Sequence, residues 1–146
     1  MTTLSADPRD DDEAGVFAIE AVPAFIGIFL FALLVFVAVR VSAANTSISS
    51  AAQDAARAAS HQRDAGSAQA AAQAAAANVL SSDGIKCAPN VTIDTAGFGR
   101  EAGTAATVAA TITCTVPLSD VGPPGTPGSK TFTAHAMSAI DTYRER

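Results

Sequence analysis

The strongest pattern in the chain is an unbroken apolar run, Ala21 to Val39 (AVPAFIGIFLFALLVFVAV), 19 residues without a charge. As a helix it spans ~28 Å, close to the hydrocarbon thickness of a bilayer. Pro23 lies near its N-terminal end, where proline is tolerated. The pattern then changes to alanine. From Ala43 to Ala77, 17 of 35 residues are alanine and none is proline, a strongly helical composition. Ala51, Ala55, Ala58 and Ala59, followed by Ala65, Ala68 and Ala72, lay a small-residue stripe at helical spacing. Such a stripe permits close helix–helix approach, and its functional reading is side-by-side packing of equivalent helices in an assembly. No breaker separates run and stripe. The pattern therefore predicts one helix from about Phe17 to Leu80, roughly 95 Å long. Ser81-Ser82-Asp83-Gly84 ends it, with Gly84 in the left-handed region.

After Gly84 the period falls to two. Val91-Thr92-Ile93-Asp94 alternates. Val108, Ala110, Ile112, Cys114, Val116 and Leu118 alternate with Thr107, Ala109, Thr111, Thr113 and Thr115. Phe132, Ala134 and Ala136 alternate with Thr131, Thr133 and His135. These read as three antiparallel strands with one apolar and one threonine-rich face. Gly97, Gly99 and Gly103 fall in the first connection, and Ser119–Ser129 (SDVGPPGTPGS) forms a Pro/Gly loop in the second. A single thin sheet needs a cover, and the C-terminal part of the long helix is the candidate. The fold class is α+β: a long N-terminal helix packed by a small three-stranded sheet.

Composition narrows the function. Apolar residues make up 49% of the 146, but 34 of them are alanine. Seventeen of the larger ones lie between Val16 and Val41, leaving 18 for everything after Val41. A domain with a deep substrate pocket is hard to build from that inventory. Net charge is -5, which excludes a basic nucleic-acid footprint. Most of that charge sits in residues 1–15, where Asp7, Asp10, Asp11, Asp12 and Glu13 oppose Arg9. So apolar-poor a segment reads as a disordered leader. The organisation that follows is a leader (1–15), a transmembrane helix (16–41), an alanine-rich arm (42–82) and a small extracytoplasmic β domain (83–146).

Candidate chemistry is sparse. Cys87 and Cys114 suggest one disulfide in an oxidising compartment, closing a loop of about 28 residues worth ~3.5 kcal/mol; two buried free thiols are the alternative. The cysteines place the C-terminal portion outside the cell, while Arg9 and Arg40 flank the run and leave the positive-inside rule undecided. Two cysteines and two distant histidines do not make a zinc spacing, so no metal is expected. His61 reads as exposed, and His135 lies on a polar strand face. No nucleophile–base pair, phosphate loop or carboxylate pair stands out, so no catalytic residue, cofactor or small-molecule substrate is expected. Asn45-Thr46-Ser47 and Asn90-Val91-Thr92 match the glycosylation pattern with nothing to indicate a host that uses it.

One spacing carries more. In Gly15-Val16-Phe17-Ala18-Ile19-Glu20 a glycine is followed five residues later by a glutamate at the mouth of the apolar helix. Cutting after Gly15 makes Val16 the N-terminus, and its new amine can neutralise Glu20 within one chain or between neighbours. The simpler alternative is an interfacial glutamate favoured by the positive end of the helix dipole.

This layout, with EAGVFAIEAVP (Glu13–Pro23), AAQDAARAAS (Ala51–Ser60), TITCTVPLSD (Thr111–Asp120) and the ending AIDTYRER, resembles type IV prepilins. More closely it resembles TadE-family pseudopilins of the tight-adherence (Flp) pilus, in their actinobacterial form. The resemblance covers nearly the whole chain after Gly15. It implies a pilin-like fold, cleavage after Gly15 by a membrane prepilin peptidase, and Glu20 as the assembly glutamate. It also implies a single-pass membrane protein with its C-terminal portion outside, whose partners are other pilin or pseudopilin subunits and the pilus assembly platform. The acidic leader departs from the usual basic one. Two rivals remain from the residues alone. One is an uncleaved membrane-tethered binding module using the threonine face or the Pro/Gly loop. The other is a small secreted protein cut after Ala43.

Overall fold

The structure is a computed structural model and describes residues 9–101, 103–122 and 125–142, with side chains from Ala21 onward. The element order is α1 (Arg9–Ser60), α2 (Ala65–Ser82), β1 (Asn90–Asp94), a 3-10 turn (Ala96–Gly99), β2 (Ala106–Pro117), α3 (Leu118–Val121) and β3 (Ser129–Ile140). The class is α+β, as the pattern predicts. The chain divides into two compact units, Met1–Ala38 and Val39–Arg146.

In the first unit, α1 carries the apolar run through Pro23 without a break. Its helical backbone is described from Arg9, within the 1–15 stretch expected as a disordered leader.

The second unit holds an antiparallel sheet in the order β1-β2-β3. Strand β2 pairs with β3 along its whole length, from Ala106↔Ile140 to Pro117↔Ser129, and with β1 from Asp94↔Ala109 to Asn90↔Thr113. The alternation holds. Val108, Ala110, Ile112, Cys114 and Val116 are buried, as are Val91, Ile93, Phe132 and Ala134. Strand β3 runs further than the pattern suggested because pairing with β2 continues to Ile140, which is buried. The first turn of the expected Pro/Gly loop is instead helical, as α3, with Val121 buried.

The predicted continuous helix is corrected. It breaks after Ser60, and α2 begins at Ala65. Asp64 caps α2 by accepting from the Ser67 amide at 2.9 Å and from the Ser67 hydroxyl at 2.7 Å. The reason for the break is geometric. Ala44 and Val116 line one cleft at one end of the sheet, and Ser60 meets Ser138 at the other, where Ser138 pairs with Val108. From Ala44 to Ser60 a helix rises ~24 Å, and from Val116 to Val108 a strand covers ~26 Å. Helix α1 thus reaches the end of the sheet at Ser60 and the chain turns back. The return is along β1, where Gln69 Nε2 donates to the Val91 carbonyl at 2.7 Å. The turn beyond α2 arrives again at the Arg40 and Ala44 end. A straight continuation would have left β1 uncovered.

This also corrects the reading of the alanine stripe. Ala51, Ala55 and Ala59 are fully buried inside this chain, together with Ala52, while Ala58 is only half-buried and Ala65 is exposed. Ala68, Ala72 and Ala76 bury the facing row of α2 down to Leu80. Alanine at these positions adds little side-chain bulk to the buried faces of α1 and α2. Ile48, Leu80, Ile112, Val108 and Val116 are the largest wholly buried side chains of one core. The turn after α2 closes with Gly84 at φ +71°, as its position predicts.

Candidate functional site

The apolar run forms a helix long and apolar enough to cross a membrane, near the N-terminus. Most of its large side chains are exposed: Phe25 is 71% exposed, Phe31 69% and Leu34 66%, and Val22, Ile28, Phe29 and Val39 are likewise open. Twelve large apolar residues are exposed along it, so by length and composition it meets what a bilayer requires of a spanning helix.

The backbone of Gly15, Val16 and Glu20 lies in α1, upstream of this run. The side chains of Val16 and Glu20 lie outside the described residues, so the proposed amine–carboxylate pairing does too.

Cys87 and Cys114 are joined, with their Cα atoms 6.0 Å apart. The bond links the segment after α2 to the buried face of β2, since Cys114 is wholly buried. It therefore holds the segment after α2 to the sheet beside Ile112, Val116 and Phe132.

The histidines are placed as surface groups. His61 is exposed beyond the end of α1. His135 stands opposite Thr111 in the β2–β3 register, and its Nδ1 is 2.9 Å from the Thr111 hydroxyl. Thr115 and Thr131 make the next such pair, hydroxyl to hydroxyl at 3.0 Å. The outer sheet face is thus laced by lateral hydroxyl contacts. Among the described residues no three His, Cys, Asp or Glu side chains are grouped to hold a metal ion.

A cleft of about 120 Å³ lies in the second unit, beside the Arg40–Ser47 stretch of α1. Arg40 and Ser47 of α1, Asp83 and Lys86 of the turn after α2, and Asp120 of α3 supply its polar lining, over a floor that includes Val116 and Val121. The turn after α2 and the end of β2, whose meeting the sequence does not display, gather these residues.

No family model, no curated protein and no solved structure matches the chain.

Proposed function

We propose that this chain is a non-catalytic, pilin-like subunit of the cell envelope, of the TadE-like pseudopilin kind, acting in assembly of a tight-adherence pilus or a related machine. The observation that carries the reading is α1 itself. One uninterrupted helix runs from the Gly15–Glu20 segment through the exposed apolar run and becomes the core helix of a small α+β domain. That layout serves a subunit held in the bilayer before assembly and packed by the same apolar helix afterwards. The disulfide supports an extracytoplasmic domain, since such bonds persist in oxidising compartments. In this reading a prepilin peptidase cuts after Gly15, and Glu20 meets an α-amino group within the helix bundle. The protein is then single-pass in the cell membrane, and its partners are other pilin or pseudopilin subunits and the assembly platform.

The N-terminal residue of the protein from its native host tests this. Val16 supports the pseudopilin. Met1 or Thr2 replaces it with an uncleaved tethered module, and Ala44 with a secreted protein.

A further inference from the structure

We propose that the cleft beside Arg40 binds the headgroup of a phospholipid that carries both a phosphate and a primary ammonium, of the phosphatidylethanolamine type. The proposal rests on the reading that the apolar run crosses a bilayer. Its failure and that reading's failure are separable in the test below.

Arg40 is the residue immediately after Val39, the end of the apolar run. With that run in the hydrocarbon, Arg40 sits at the level of the headgroups, where cationic side chains extend toward phosphates. Lys86 lines the same cleft, delivered there by the turn at Gly84. Arg40 and Lys86 are thus the two cationic side chains that line the cleft.

Cations alone would suit any anionic lipid. The cleft adds Asp83 and Asp120, from two different elements. Carboxylates oppose a purely anionic headgroup but pair with a primary ammonium, which offers three N–H donors; a quaternary ammonium offers none. The cavity of about 120 Å³ accommodates roughly eight to ten non-hydrogen atoms, and a phosphoethanolamine group has eight. Charge pattern, size and height thus agree on one headgroup chemistry.

The test uses the full chain in nanodiscs of equal phosphatidylethanolamine, phosphatidylcholine and phosphatidylglycerol, with retained lipid read by native mass spectrometry. The expected result is preferential retention of phosphatidylethanolamine. Lys86→Ala weakens that retention about fivefold, the usual effect of one interfacial cation. Asp120→Asn abolishes the preference over phosphatidylglycerol, and Arg57→Ala, on an exposed face of α1 away from the cleft, changes nothing. Equal retention of the three lipids overturns the proposal, as does a preference that survives both Lys86→Ala and Asp120→Asn. Displacement of the lipid by an equal concentration of soluble O-phosphoethanolamine also overturns it, assigning the cleft to a free metabolite. Circular dichroism shows that each variant is folded. Alkaline extraction from vesicles checks the span: a chain that stays embedded without lipid preference defeats the headgroup site alone, and one that washes out defeats the membrane reading beneath it.

Discussion

The hydroxyl of Ser138 donates to the hydroxyl of Ser60 at 3.1 Å, and Ser60 in turn donates to the Arg57 carbonyl at 2.9 Å. Ser60 is the last residue of α1 and nearly buried, 6% exposed. Its proton and a lone pair are both used, and the relay fastens the end of α1 to β3 at the point where the chain turns back. Ser60→Ala removes that junction and should cost about 1 kcal/mol, seen as a lower urea midpoint by far-UV circular dichroism. An unchanged midpoint would mean that packing alone fixes the helix end.

Asp64 starts α2, and its carboxyl is held below the usual carboxylate range, chiefly by the Ser67 amide and then by the Ser67 hydroxyl. A carboxyl with a depressed folded pKa stabilises above its unfolded value of about 4 and loses that contribution as pH falls through the folded value. Asp64→Ala should therefore melt at a lower temperature than the parent at pH 7, with the two melting curves converging in strong acid. A gap that persisted at low pH would show that the cap does not act through its charged form.

The Cys87–Cys114 bond closes the loop from the foot of α2 through β1 to β2. Replacing both cysteines by alanine should lower stability by about 3.5 kcal/mol on the chain-entropy account. Denaturation of the double variant against the oxidised parent measures it. Equal stability would assign the bond no structural role.

The alanines of the helix pair are set by distance. Ala55 is fully buried, whereas Ala74 on α2 is exposed. Ala55→Leu should destabilise by about 1–3 kcal/mol through overpacking, and Ala74→Leu should be nearly neutral in the isolated chain. If Ala55→Leu were neutral, the interface would not be close-packed.

Gly97 is required by contact rather than by backbone angle. A Cβ there would run into the Thr107 carbonyl oxygen at the start of β2. Gly97→Ala should shift the 3-10 turn off the sheet and cost about 1–3 kcal/mol, measurable in the same denaturation assay.

Glu20→Ala tests the functional reading directly. Membrane insertion should survive, because a carboxylate is lost from an apolar helix rather than added. Incorporation into or assembly of the pilus should fall. Normal assembly by that variant would remove the role given to Glu20.

Much of this molecule is legible in its sequence because local rules govern it. An uncharged run of 19 residues can satisfy itself only as a helix among apolar neighbours, and the alternation from Val108 to Val116 puts one face inward whatever lies above it. Gly84 ends a helix because it alone pays little for the left-handed region. The rest needed the tertiary structure. Alanine, glutamine and serine form helix equally well on either side of residues 61–64, so propensity could not locate the turn there. The length of the sheet, which limits how far α1 can pack, decided it. Burial of Ala51, Ala55 and Ala59 against the chain's own elements rather than a neighbour's follows from that turn. So does the meeting of Arg40, Lys86 and Asp120, which are far apart in sequence and come together only because helix return and strand pairing end at the same place.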